Sequence, residues 1–548
     1  MTDEVPQHVS QALFEVTQQE GQLDVVADAE SLPTAHTSFI DLPNEIIAHI
    51  LGEVQDDEDL YQIAFLSRRI NHISLSVYLS RRNFGSGQND RLVLYDYNSL
   101  DVLRALDAAL FKSSLTRLQY PFDCNKPVDQ LGRELRGLRG IIDDKLSSLQ
   151  EITIVLKNAT TTLPVPLLLA QNLPRNTGNP SPSFIQGEVL GDFFSLLDSI
   201  VACGCVTLKF AHSGPQTTAM YDINVAIAEQ FGGTRAITKT WGFSTFLAQI
   251  PFFVSRCRPS RTVKKAENSL KTLYLHSPIS FHPHLGRWGM NILNDSAINV
   301  LSISQQRSVH NNSWALILPC ISVPTLTSLT LDSCSMRLPD LLRFLMRHTG
   351  LQRLNLGSSF ALSDANARHR VLSSPRGPQL HLTHFSASLD LFIKNFDHAP
   401  FLFNPSSLKS LTVLLSIPHG MCFSLAMVDK PLKTYIWRLK SIKEVRLALS
   451  FVGVPSTWIA ATHRVGEEDR NEGGVHTLIT HMDVHIKVYN FSFSSVMRLR
   501  ELLVRFPALQ QLSISTLGEP NFLDAYQKRV FSELAQGCCP KLDSVCFV

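Results

Sequence analysis

At 548 residues the chain is too long for one hydrophobic core, because single cores stop growing at roughly 250–300 residues, so several units or an elongated repeat are expected. Hydrophobic residues make up 44% and charged residues 18%, enough apolar material to fold and too little charge for a wholly disordered chain. The net charge of +2 comes without a Lys/Arg run interleaved with aromatics, so no nucleic-acid partner is expected.

Residues 1–38 are polar and acidic, lack sustained apolar periodicity, and read as a disordered acidic tail. No Lys or Arg precedes Arg68, so the excess of basic residues belongs to the remainder of the chain. The opening stretch has neither the basic nor the apolar region of a secretory signal. Later apolar runs such as 163–170 fall far short of the ~20 residues of a membrane span. The expectation is a chain of cytoplasm or nucleus, not secreted and with no membrane partner. Ten cysteines without recurrent spacing are expected as reduced, mostly buried thiols.

From Phe39 the character changes. Leu42, Ile46, Ile47, Ile50 and Leu51 fall on one helical stripe, with Asp41 as a cap and Pro43 in the first turn, where a missing N–H costs nothing. Gly52 is expected to end this helix. Asp56, Asp57, Glu58 and Asp59 suit the positive end of a second helix, which carries Leu60, Ile63, Ala64 and Leu66. Ile70 through Leu79 supplies a third. Units of this size rarely bury enough surface to stand alone, so a partner is expected.

Beyond Arg81 apolar residues recur at i, i+3 and i+5, as strands do when they alternate faces. The pattern appears at Leu115/Leu118/Tyr120, Leu149/Ile152/Ile154, Leu270/Leu273/Leu275, Ile298/Leu301/Ile303, Leu326/Leu329/Leu331, Leu351/Leu354/Leu356, Leu408/Leu411/Val413, Ile442/Val445/Leu447, Leu509/Leu512/Ile514 and Leu542/Val545/Phe547. Helix-like stretches precede several of them: Leu100–Phe111, Leu131–Ile142, Leu341–Met346 and Val496–Val504. A unit of one helix and one strand buries its apolar face only against the next unit, which predicts a stacked, parallel-stranded solenoid. Pro-, Asn-, Gly- and charge-rich segments near 157–190, 368–378 and 460–474 read as inserted loops.

The segment Leu42-Pro43-Asn44-Glu45-Ile46-Ile47, followed by Ile50-Leu51, Asp59-Leu60 and Ile63-Ala64-Phe65-Leu66-Ser67-Arg68-Arg69, resembles the F-box motif. It departs from the family in having Ile70 where Trp is frequent. The resemblance implies a small all-α three-helix F-box over 39–84, followed over 85–548 by a curved α/β leucine-rich-repeat solenoid with parallel strands on its concave face. It also implies a substrate-receptor subunit of an SCF-type cullin–RING ubiquitin ligase, without catalytic residues or cofactors of its own. Leu42, Pro43, Glu45, Ile46, Ile47, Ile50, Leu51, Leu60, Ile63, Ala64 and Ser67 would dock a Skp-family adaptor and, through it, the cullin and RING subunits. The repeats would capture a target protein. A repeat scaffold that drives no degradation is the alternative. Thr327, Ser328, Thr330, Gln352, Arg353, Asn355, Lys409, Ser410 and Lys443 occupy outward strand positions and are the candidates for target contact.

Other constellations carry less. His481 and His485 have the i, i+4 spacing of a helical zinc pair, but residues 483–488 alternate like a strand, which separates them. His276, His282 and His284 lack a partner set, and neither Cys203/Cys205 nor Cys538/Cys539 has a second pair at zinc spacing. No metal site is expected. Phosphate-loop, dinucleotide and serine-hydrolase motifs are absent from the sequence. Asn158, Asn294 and Asn490 match glycosylation acceptors, a signal that matters only in a secreted chain.

Overall fold

The computed structural model describes residues 39–81, 91–94, 99–110, 115–124, 126–146, 149–157, 182–213, 269–281, 283–306, 309, 311–362, 380–391, 407–417, 442–451, 478–486, 499–500, 502–516 and 523–547. The expected tail 1–38 and the expected loops 368–378 and 460–474 lie outside the described residues, as does most of the loop expected at 157–190. The end of that last segment is not loop. A helix runs over Pro182–Ala202, opened by a proline, which suits a first turn, and continued by an apolar run that closes with Leu196, Leu197 and Ile200, all buried.

The chain divides into two compact units, Met1–Val77 and Tyr78–Val548. In the first, a 3₁₀ turn at Phe39–Asp41 precedes helices α1 (Asn44–Glu53), α2 (Asp57–Ile63) and α3 (Arg68–Arg81), the last of which crosses the division. Asp41 does not cap α1. Pro43 takes the cap position, and its carbonyl accepts from the amides of Ile46 and Ile47, each at 3.1 Å. Gly52 lies inside the last turn rather than ending the helix. The acidic turn behaves as expected: the Asp56 carboxylate accepts from the Glu58 amide at 2.9 Å and caps α2. Ser67 does the same for α3, its hydroxyl accepting from the Ile70 amide at 3.2 Å.

The second unit is α/β. Its strands are β1 (Arg91–Val93), β2 (Arg117–Asp123), β3 (Glu151–Lys157), β4 (Thr207–Ser213), β5 (Thr272–His276), β6 (Val300–Ile303), β7 (Ser328–Leu331), β8 (Ser335–Met336), β9 (Arg353–Leu356), β10 (Ala361–Leu362), β11 (His384–Ser388), β12 (Ser410–Ile417), β13 (Glu444–Phe451), β14 (Ile479–Ile486), β15 (Gln511–Thr516) and β16 (Ser544–Phe547). Fourteen of them form one sheet in chain order, every pair parallel, while β8 and β10 pair with each other. Strict chain order in a parallel sheet is compatible with a repeat solenoid, each unit adding its strand beside the last.

All ten expected triplets coincide with strands of this sheet. The registers align their apolar residues into rows: Leu118, Ile152, Leu208, Leu273, Leu301, Leu329, Leu354, Phe385, Leu411 and Val445 stand side by side, and each is buried. Most intervening residues are half-buried or exposed, with Pro121, Ser302, Ser410 and Ala448 buried as exceptions, so burial alternates along most strands. Parallel sheets covered on both faces read as continuous apolar runs; this one is closed on one face and open on the other.

The closed face packs on helices α4 (Ser99–Ala108), α5 (Val128–Asp144), α6 (Pro182–Ala202), α7 (Pro283–Asp295), α8 (Asn311–Cys320), α9 (Leu338–Arg347) and α10 (Ala525–Cys538). Between sheet and helices runs an aromatic series, Tyr120, Phe122, Phe193, Phe210 and Trp288, with successive ring centroids 4.5, 6.4, 6.5 and 6.1 Å apart. Polar links lock neighbouring helices: Trp288 Nε1 donates to Asp198 at 3.1 Å, and Asn294 spans to the next connection through Cys320 O at 3.0 Å and the Ser322 amide at 2.7 Å. Glu134 of α5 is wholly buried and receives Lys126 Nζ at 2.7 Å, together with Gln130 and Tyr120.

Candidate protein-binding surfaces

In the helical unit the apolar stripe divides. Ile47, Leu51, Leu60 and Ala64 are buried, between 0% and 2% exposed, and form core. Leu42, Ile63 and Ser67 are half-buried, while Pro43 and Glu45 are exposed. Ile46 and Ile50 remain 47% and 41% exposed, one turn apart on α1. Phe65 and Leu66, at 59% and 74%, project from the turn between α2 and α3.

The basic residue after Ser67-Arg68 has an internal task. Arg69 Nε donates to Asn44 Oδ1 at 2.8 Å and Nη2 to the Leu42 carbonyl at 2.5 Å, so the start of α3 holds the start of α1. The Ser74 hydroxyl ties α3 to α2 through the Leu60 carbonyl at 2.5 Å. These contacts fix the angle at which Pro43, Ile46 and Ile50 are presented.

In the sheet unit the open face is polar, and its two ends are internally matched. Toward the first strands, Glu151 receives Lys209 at 2.5 Å and Arg117 at 3.8 Å. Lys209 also lies 5.1 Å from the Tyr274 ring centre, Tyr274 meets His276 edge-on, and His276 Nε2 is 2.8 Å from the Ser302 hydroxyl. Burial, with Lys209 adding to it, holds the His276 imidazole below its usual pKa against the opposing pull of Asp332. Toward the last strands, Arg446 reaches Glu444 at 3.4 Å and Asp483 at 3.7 Å, and His481 lies 3.6 Å from Glu444. His481 and His485 lie on β14 as the alternation implied, and His485 pairs with Ser515 at 2.5 Å.

The target candidates sit on or beside this face. Ser328 and Thr330 belong to β7 and Arg353 and Asn355 to β9, whereas Ser410, the first residue of β12, is buried and not outward as expected. Thr327, Gln352, Lys409 and Lys443 immediately precede strands, their backbones continuing the ladders. Lys271, which immediately precedes β5 as Lys409 precedes β12, and His384, which opens β11 beside Arg353, escaped the sequence reading; counting outward positions of each strand pattern finds them.

Cys205, Cys334 and Cys539 are buried, and burial pushes the thiol of Cys205 up to about 12 and those of Cys539 and Cys124 up to about 11, so little thiolate forms near neutral pH. Among the described residues no group of three or more His, Cys, Asp or Glu is placed to hold a metal ion, and no described helix is long and apolar enough to cross a membrane. The side chains of His282 and His284 lie outside the described ones.

No family model matches the chain, and no curated protein sequence matches it. Among solved structures it aligns with the crystal structure of the Rad7 and Elc1 complex in yeast, at 13% identity and a TM-score of 0.29, over 95% of this chain and 99% of that one.

Proposed function

We propose that the chain is the substrate-receptor subunit of an SCF-type cullin–RING ubiquitin ligase, its helical unit an F-box that docks a Skp-family adaptor and its sheet unit a leucine-rich-repeat solenoid whose open face captures a target protein. The observation that carries this reading is the exposure of Ile46 and Ile50 on α1, inside the stretch whose residue order resembles the F-box. Covering such a side chain contributes about 1.5–3 kcal/mol before ordering costs, and a few well-packed anchors dominate an interface. Ile47, Leu51, Leu60 and Ala64 then serve the adaptor indirectly, by filling the core that presents Pro43, Ile46, Ile50 and Leu66. The reading assigns the chain no catalytic residue and no cofactor; its contribution is to place the target near the enzymes of the complex.

Co-expression with a Skp-family adaptor tests it. The wild type is expected to retain the adaptor through purification, and Ile46→Asp/Ile50→Asp to lose it while keeping its helical signal and unfolding midpoint. Because both side chains reach water already, loss of binding in this variant reports the surface and not the core. A wild type that captures no adaptor removes the reading.

A further inference from the structure

The central part of the open face differs from its two ends. From β5 through β12 its strand positions are Thr272, Tyr274, His276, Val300, Ser302, Ser328, Thr330, Arg353, Asn355, His384, Ser386, Ser388, Ser410, Thr412, Leu414 and Ser416, with no Asp or Glu among them. Arg353 and Lys409 are exposed and have no ion-pair partner among the described residues, in contrast to Arg117, Lys209 and Arg446 at the ends. Lys271 and Lys443, also exposed and without such a partner, mark the two margins of the stretch.

Arg353 and Lys409 act on one spot. Arg353 stands beside His384 in register, and His384 beside Ser410. Burial first, and then the fields of Arg353 and Lys409, hold the His384 imidazole below its usual pKa, with Glu444 opposing them. Neighbouring strands are about 4.8 Å apart, so hydroxyls and cations recur at a spacing that an extended peptide can follow.

We infer that this stretch binds an acidic, extended segment of the target protein, its Asp and Glu side chains meeting Arg353 and Lys409 and its backbone lying over the hydroxyl-rich rows. The inference rests on the reading of the open face as the target-capturing surface. Charge complementarity selects the class: exposed cations without an ion-pair partner among the described residues, beside strand positions that carry no acid, attract carboxylates and reject basic segments, while Asp332 after β7 and Glu444 beside Ser410 are the acids at the edges of the stretch. A nucleic acid fits less well, since the cations are few and, among the strand positions named, Tyr274 alone offers a Phe, Tyr or Trp platform.

The test uses the purified full chain and a fluorescein-labelled twelve-residue peptide of alternating Asp, Glu and Ser, read by anisotropy at low and at physiological salt. The wild type is expected to bind, more weakly as salt rises, and Arg353→Ala/Lys409→Ala to bind at least tenfold more weakly. Arg353→Lys/Lys409→Arg should recover most of the affinity, and Arg529→Ala on α10, on the helical side, should leave it unchanged. No binding by the wild type at low salt, or equal loss in Arg529→Ala, overturns the inference. So does tighter binding of a twelve-nucleotide single strand, or a tenfold gain in peptide affinity when residues 1–38 are deleted, which would assign the face to the chain's own acidic tail. Adaptor capture by each variant is measured in parallel: an inference that fails while the adaptor is still bound leaves the receptor reading standing.

Discussion

His348 shows how one buried side chain sets a dependence on pH. Its Nε2 accepts from the Val323 amide at 3.2 Å, its Nδ1 lies 2.8 Å from the Phe344 carbonyl, and its ring packs 4.3 Å from that of Phe344. An acceptor at Nε2 requires the neutral imidazole carrying its proton on Nδ1. Burial depresses the pKa, Arg347 adds to this, and the Phe344 carbonyl opposes it. The folded state therefore resists a proton that the unfolded chain accepts near 6.5. Stability from this group is fully present above that value and is lost as pH falls from there toward the depressed folded pKa. The sheet unit should accordingly denature at lower urea at pH 5 than at pH 7.5, and His348→Gln, which cannot titrate, should narrow the difference. An undiminished difference in His348→Gln would place the pH dependence elsewhere.

At the scale of the element, the apolar strand pattern was legible where Leu, Ile and Val dominate it, Tyr120 and Phe547 included at its third site, and illegible where Cys, Ala or Met fill the same sites. Cys205/Leu208/Phe210, Leu382/Phe385/Ala387 and Ile479/Met482/Val484 keep the i, i+3, i+5 spacing and build β4, β11 and β14, but Cys, Ala and Met blur the signal. β14 carries a further irregularity, a register shift against β13 next to Val445 and Arg446, which no spacing rule foretells. The short pair β8 and β10 was equally invisible, because it depends on a turn: Ser333 adopts a positive φ of 50°, and Asp332 accepts from the Ser359 amide at 3.2 Å and the Ser333 hydroxyl at 3.1 Å. Gly357 makes room for that carboxylate, since a Cβ there would collide with the Asp332 side chain. Gly357→Ala is expected to cost about 1–3 kcal/mol, as overpacking does. In an Asp332→Gly background, where the colliding atoms are gone, the same substitution should cost far less, and denaturant midpoints of the four proteins give the coupling. Strictly additive effects would show that the collision is relieved by another route.

At the scale of the molecule, the sequence disclosed a helical unit followed by stacked helix–strand repeats, because both are specified by local periodicity. Which apolar residues of the helical unit face water is a tertiary fact, so the stripe alone could not separate Ile46 and Ile50 from Ile47 and Leu51. The matching of charges across the sheet is likewise a matter of register: Glu151 and Lys209 are far apart in the chain and adjacent only because β3 and β4 pair. The same chain-order pairing governs how damage spreads. Each strand of the fourteen-stranded sheet bonds only to the strands beside it in chain order, so stability is expected to be a sum of local terms and nearest-neighbour couplings. Leu329 on β7 and Leu542 just before β16 are both buried, and truncating either to Ala should cost about 2–5 kcal/mol locally. The consequences should differ in reach. Leu542→Ala at the end of the stack is expected to raise amide exchange in β15, β16 and α10 and leave β2–β7 protected. Leu329→Ala interrupts the stack, so exchange should rise on both sides, through β6 and β9, before fading outward. A uniform rise over all fourteen strands in either variant would mean that the sheet unit unfolds as one cooperative block, and that its repeats are coupled well beyond their neighbours.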